Sequence, residues 1–68
     1  MPIVRIDLLA GRTPERKFAL LQQVTDAVIS ALDVRPEQVR VLINEIQPEH
    51  WAVGGKTLAP PAPEKPAE

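Results

Sequence analysis

The sequence contains no cysteine and no tyrosine, and only one each of histidine, tryptophan, phenylalanine and methionine. Without cysteine there is no disulfide, and His50 has no cysteine partners with which to build a structural metal site. Sixty-eight residues make one domain at most, and a chain this short buries only a modest share of its surface when it folds alone. Association with other copies is therefore the expected stabiliser. An excess of charge is missing too: eight Lys/Arg stand against nine Asp/Glu, for a formal charge of −1. That balance excludes a general basic surface for nucleic acid and a polybasic arm for membranes, so any role for arginine is local. The first twenty residues carry Arg5, Asp7 and Arg12 within their apolar stretch. They match neither a signal peptide nor a membrane span, and a cytoplasmic chain is expected. No internal repeat is visible.

What is present reads as a strand, a helix and a second strand. Ile3 to Leu9, IVRIDLL, is rich in β-branched and aliphatic residues and ends at Ala10-Gly11, which suits a strand buried on much of both faces. Thr13-Pro14-Glu15 is a helix start, with Thr13 as N-cap, Pro14 where its missing N–H costs nothing, and Glu15 near the positive helix end. Arg16 in place of Glu or Gln rules out a capping box. Phe18, Leu21, Val24, Val28 and Leu32 recur at intervals of three and four, with Lys17, Gln22, Gln23, Asp26 and Ser30 largely opposite, so the helix is amphipathic. Asp33-Val34-Arg35-Pro36 ends it, and Pro36-Glu37-Gln38 suits one short turn. Val39 to Ile46, VRVLINEI, is the second strand.

Two strands joined through a long helix fit a parallel pair with a right-handed crossover, giving an α/β (α+β) fold whose unit is a short β-α-β subunit. One helix covers one sheet face. The other face, holding either the Val4/Ile6/Leu8 row or its opposite, is expected to meet another subunit. Trp51-Ala52-Val53-Gly54-Gly55-Lys56 reads as a C-terminal hairpin arm with a Gly-Gly turn, too small to be stable unless it lies on a neighbour. The domain is thus expected over residues 1–58. From Ala59 to Glu68 four of ten residues are proline and the rest are alanine, glutamate and lysine, a composition that predicts a disordered tail with no assigned function.

The chemistry-bearing residues begin at the N-terminus. Met1 before the small residue Pro2 is the arrangement from which methionine aminopeptidase removes the initiator, leaving Pro2 with a free secondary amine. An α-amino group, with a reference pKa of about 8, moves toward neutrality when desolvated or set beside cations, and then suits general acid–base work. The alternative is a proline that simply precedes a strand. Arg40 sits inside an otherwise apolar strand, as an edge charge, as one half of an ion pair across the subunit interface with Asp7 or Glu45, or as a carboxylate ligand. Arg12, just after Gly11 at the strand-to-helix turn, is either solvated or a second ligand of that kind. A guanidinium fork binds carboxylates well and also depresses the pKa of a nearby amine. Trp51 is either core or the wall of a water-excluding pocket.

Pro2, Gly11-Arg12, the helix opened after a Ser/Thr-type cap, Val39-Arg40-Val41 and the segment from Trp51 to Gly54-Gly55 together resemble the 4-oxalocrotonate tautomerase family over residues 2 to about 58. The resemblance implies hexamers built as trimers of β-α-β dimers, sites that combine residues of more than one subunit, and a place in aromatic hydrocarbon catabolism. It implies an isomerase that interconverts enol and keto forms of small 2-hydroxydienoates and 2-oxo acids such as 2-hydroxymuconate, with no metal or organic cofactor. Carried over by position, Pro2 moves the proton from the dienol hydroxyl to carbon, and Arg40 binds a carboxylate and the adjacent oxygen. Arg12 binds the distal carboxylate, and Trp51 is the aromatic wall. Such a reaction needs one base that returns its proton elsewhere and cations that stabilise the developing dienolate. Leu9 and Gln38 are given no chemistry. Superfamily dehalogenases that hydrate 3-haloacrylates use a carboxylate two positions after the aromatic, where this chain has Val53, although Glu45 or Glu49 could substitute. Two other readings remain open: iminium chemistry at the Pro2 amine, and a non-catalytic oligomeric binding module.

Overall fold

The β-branched run at the N-terminus forms β1, Ile3–Leu9, and the second forms β2, Arg40–Ile46, in a computed structural model that describes residues 1–59. The two strands pair in parallel, from Ile3 opposite Arg40 to Leu9 opposite Ile46. One further hydrogen bond extends the ladder at each end: Arg40 N–H to the Pro2 carbonyl at 3.0 Å, and Ala10 N–H to the Ile46 carbonyl at 2.9 Å. The connection is α1, Pro14–Leu32. Thr13 caps it, its Oγ1 accepting from the Arg16 N–H at 3.2 Å, and Asp33 closes it in the left-handed region (φ 55°) with its N–H bonded to the Ile29 carbonyl. Aspartate is among the few side chains that enter this region readily.

The helix lies on the face that carries Val4, Ile6 and Leu8 beside Val41, Ile43 and Glu45. Lys17 Nζ reaches from α1 to Glu45 Oε1 at 3.0 Å, and Leu20, Leu21, Val24, Val28 and Ile29 are half-buried. Two of the residues expected on the helix's inward stripe lie outside it: Phe18 is 68% and Leu32 57% exposed, whereas Lys17, expected outside, is partly covered. The reason is width. Two strands about 4.8 Å apart support less than the full flank of a helix about 10 Å across, so residues at the edge of the stripe overhang.

The opposite face is uncovered, which settles the choice between the two rows. It presents Ile3, Arg5, Asp7 and Leu9 on β1 beside Arg40, Leu42, Asn44 and Ile46 on β2, with Ile3 57% and Leu42 49% exposed. Among the described residues none is buried.

After β2 a short 3-10 turn, Pro48–His50, which the sequence reading did not anticipate, redirects the chain. The arm follows: β3 (Ala52–Val53) pairs antiparallel with β4 (Lys56–Thr57), with Ala52 opposite Thr57 and Val53 opposite Lys56. Gly54 and Gly55 turn between them at φ 61° and 83°, the two consecutive positive values that a tight two-residue hairpin requires. Leu58 N–H closes the arm on the Trp51 carbonyl at 2.9 Å. The tail expected from Ala59 onward falls, from residue 60, outside the described residues. No described helix is long and apolar enough to cross a membrane.

Candidate active site

The parallel register gathers the candidate residues at two ends of one sheet. At the N-terminal end Pro2 and Arg40 are joined through the first rung of the ladder, Arg40 N–H to Pro2 carbonyl at 3.0 Å. The Arg40 guanidinium is held as well: its Nη1 donates to the Glu37 carbonyl at 2.7 Å. That carbonyl belongs to the 3-10 turn Pro36–Gln38, which Gln38 locks by accepting the Arg35 N–H on Oε1 at 3.0 Å. One of the five guanidinium donors is spent on this anchor, and the side chain is exposed. The Pro-Glu-Gln turn is thus a positioning element for Arg40. Sequence reasoning found the turn but gave Gln38 no such role; a glutamine three residues after the residue that precedes the turn, placed to accept that residue's N–H, was the available signal.

Arg12 and Trp51 lie at the other end. Gly11, at φ 123°, makes the turn between the end of β1 and the Thr13 cap and leaves Arg12 exposed. Trp51 is half-buried and, with Asp7, Ile46, His50 and Ala52, lines an open depression of about 310 Å³. Seven strand residues at about 3.3 Å each separate this end from Pro2 by roughly 20 Å, beyond the reach of an arginine side chain. One chain therefore brings Pro2 and Arg40 together, and places Arg12 and Trp51 near the far end of the sheet.

Within one chain, among the described residues, Arg40 pairs with neither Asp7 nor Glu45, which leaves the pairing expected across a subunit interface untested. Asp7 Oδ1 accepts from Asn44 Nδ2 at 3.1 Å, and Glu45 is taken by Lys17. Among the described residues no group of three His, Cys, Asp or Glu side chains is placed to hold a metal ion. The chemistry this arrangement can perform follows from its parts. One end of the sheet carries Pro2 and the anchored Arg40, and the far end offers a second guanidinium and an apolar wall.

Known proteins resemble this chain in sequence and in fold. Residues 2–59 match the family model described as tautomerase enzyme. A 2-hydroxymuconate tautomerase from a Pseudomonas species is 43% identical over 56 residues, which is 82% of this chain and 89% of that protein. Among solved structures, 4-oxalocrotonate tautomerase isozymes from Methylibium petroleiphilum superpose with a TM-score of 0.81 at 51% identity, over 84% of this chain and 89% of theirs. A heterohexamer 4-oxalocrotonate tautomerase from Chloroflexus aurantiacus also gives 0.81, at 40% identity, over 85% and 94% of the respective chains.

Proposed function

Because this chain belongs to the tautomerase enzyme family, a family of isomerases, we propose that it interconverts the enol and keto forms of a small 2-hydroxydienoate such as 2-hydroxymuconate, with the Pro2 amine as general acid–base. Removal of Met1 frees that amine. The base takes the proton of the dienol hydroxyl and returns it to carbon, so no group is consumed. Arg40 binds a carboxylate and the adjacent oxygen, where charge grows in the transition state and where a fixed cation lowers the barrier most. Arg12 holds the distal carboxylate of a diacid, and Trp51 walls the pocket and excludes water.

The observation that carries this reading is the pairing of Pro2 with Arg40 through the first ladder bond. That bond brings the two residues to one sheet end, and the Glu37 carbonyl anchors the guanidinium, which supports base and cation acting together. Arg12 and Trp51 then have to come from a neighbouring copy, which makes the working unit an oligomer, proposed as a hexamer of β-α-β subunits. The uncovered sheet face and the absence of any buried residue among the described residues support association, as does the heterohexamer reported for the Chloroflexus aurantiacus relative.

Intact mass of the purified chain establishes whether Met1 is gone, and ultraviolet absorbance follows ketonisation of 2-hydroxymuconate. Turnover by the processed chain, and none by a synthetic chain that retains Met1, is the expected result. No turnover by either, or equal turnover by both, overturns the Pro2-dependent tautomerase.

A further inference from the structure

Arg40 is held by a neutral oxygen. Its Nη1 donates to the Glu37 carbonyl at 2.7 Å, and among the described residues the guanidinium enters no ion pair, the Glu37 carboxylate lying 4.0 Å from Arg35 Nε instead. A carboxylate in place of that carbonyl would fix the side chain but also neutralise it; a carbonyl fixes it and leaves its charge for an anion. The anchor is only as firm as the turn that aims it, and the turn Pro36–Gln38 has three residues. Such 3-10 pieces are short, with poorly aligned hydrogen bonds. Two backbone bonds hold this one, Gln38 N–H to the Arg35 carbonyl at 3.0 Å and Val39 N–H to the Pro36 carbonyl at 3.1 Å. A third comes from a side chain, Gln38 Oε1 accepting the Arg35 N–H at 3.0 Å. Arg35 and Gln38 are thus bonded in both directions, and the peptide that joins Glu37 to Gln38 lies inside the ring they close. Arg35, Pro36 and Glu37 are exposed, whereas Gln38 is half-buried, so its bond is the one partly sheltered from competing water.

We infer that Gln38 is a positioning residue: its carboxamide, by closing the turn on the Arg35 N–H, aims the Glu37 carbonyl that holds Arg40. The inference rests on the tautomerase proposed above, in which Arg40 meets charge that grows during reaction, and gives Gln38 a part in that work without contact with substrate. Loss of the carboxamide leaves the Arg40 charge in place but frees the guanidinium to wander. The cost then falls on the step where placement of the cation matters most.

Steady-state kinetics on 2-hydroxymuconate and nuclear magnetic resonance of the arginine side chains test this on the full chain. Gln38→Ala is expected to lower kcat about threefold to tenfold, the scale of one hydrogen bond, with KM little changed. Gln38→Glu, which keeps an acceptor at the same reach, is expected to recover most of that loss. In an Arg40→Ala background Gln38→Ala is expected to change nothing further, whereas a substitution that merely loosened the fold would lower both backgrounds alike. Equal loss in both backgrounds, or no loss in either, overturns this role for Gln38. The resonance measurement needs no turnover. An anchored guanidinium rotates slowly and gives separate Nη signals, assigned to Arg40 by their disappearance in Arg40→Lys; they are expected to be separate in wild type and in Gln38→Glu, and merged in Gln38→Ala. Merged signals in wild type, or separate ones in Gln38→Ala, overturn the role as well. Where Gln38→Ala does not fold, Gln38→Leu removes the same acceptor and keeps the bulk. Wild type without turnover overturns the tautomerase, and the Nη signals then decide whether Gln38 holds Arg40.

Discussion

The peptide N–H of Arg40 donates to the carbonyl of Pro2 at 3.0 Å, so the start of β2 is tied to the residue just before β1. This one bond sets Pro2 and Arg40 at the same end of the sheet. The side chain of Arg40 is held separately, by the Glu37 carbonyl at 2.7 Å. A backbone tied to the sheet and a guanidinium held by one carbonyl suit a group whose work is to stabilise charge that appears only during reaction.

Replacing Arg40 with alanine is therefore expected to lower kcat by about a hundredfold or more, the scale of losing one preorganised donor to a developing oxyanion. Arg40→Lys should recover little of this, because an ammonium cannot span two acceptors with a planar fork. Steady-state kinetics on 2-hydroxymuconate checks it, and a variant whose kcat is unchanged removes Arg40 from the chemistry.

Arg12 is expected to behave differently. It stands exposed after Gly11, far from Pro2 of its own chain, in the role of holding a distal carboxylate. Arg12→Ala should raise KM for a diacid by about tenfold or more, as one charged hydrogen bond is lost, with kcat little changed. For a substrate with a single carboxylate the same variant should behave as wild type. An equal effect on both substrates places Arg12 elsewhere.

The hairpin arm gives a third expectation. Gly55 sits at φ 83° with open space where a side chain would go, so Gly55→Ala meets no clash and pays only for the left-handed backbone, about 1–2 kcal/mol. The strain should loosen the arm that carries Trp51 while α1 stays intact. Trp51 is the one tryptophan, so its fluorescence reports on the arm directly: a red shift with unchanged helical circular dichroism is expected, together with reduced kcat/KM. Global unfolding instead would show that the arm is integral to the subunit.

Much of this was legible before any coordinates. The run IVRIDLL defined β1 because β-branched residues bounded by Ala10-Gly11 admit little else, and Thr13-Pro14 defined the helix start because cap and proline each have one favourable place there. The Gly54-Gly55 turn followed from the two positive φ values it supplies. What was not legible depended on the third dimension. Periodicity placed Phe18 and Leu32 inward, yet a two-stranded sheet is too narrow to cover them. Lys17 looked like a solvated residue until Glu45 on β2 came within 3.0 Å. The sequence named Pro2, Arg12, Arg40 and Trp51 as candidates, but only the parallel register shows that one chain splits them between two ends.

That split makes subunit mixing the most direct measurement. A synthetic chain that retains Met1, so that the proline nitrogen is an amide, and a processed Arg12→Ala chain are each assayed alone at diacid concentrations below KM, then unfolded and refolded together. If each site joins Pro2 of one copy to Arg12 of another, the two weakly active chains together should regain substantial activity, because some mixed sites receive both intact residues. Activity no greater than the sum of the separate chains, in a sample shown by native mass spectrometry to contain mixed assemblies, would contradict a site shared between copies.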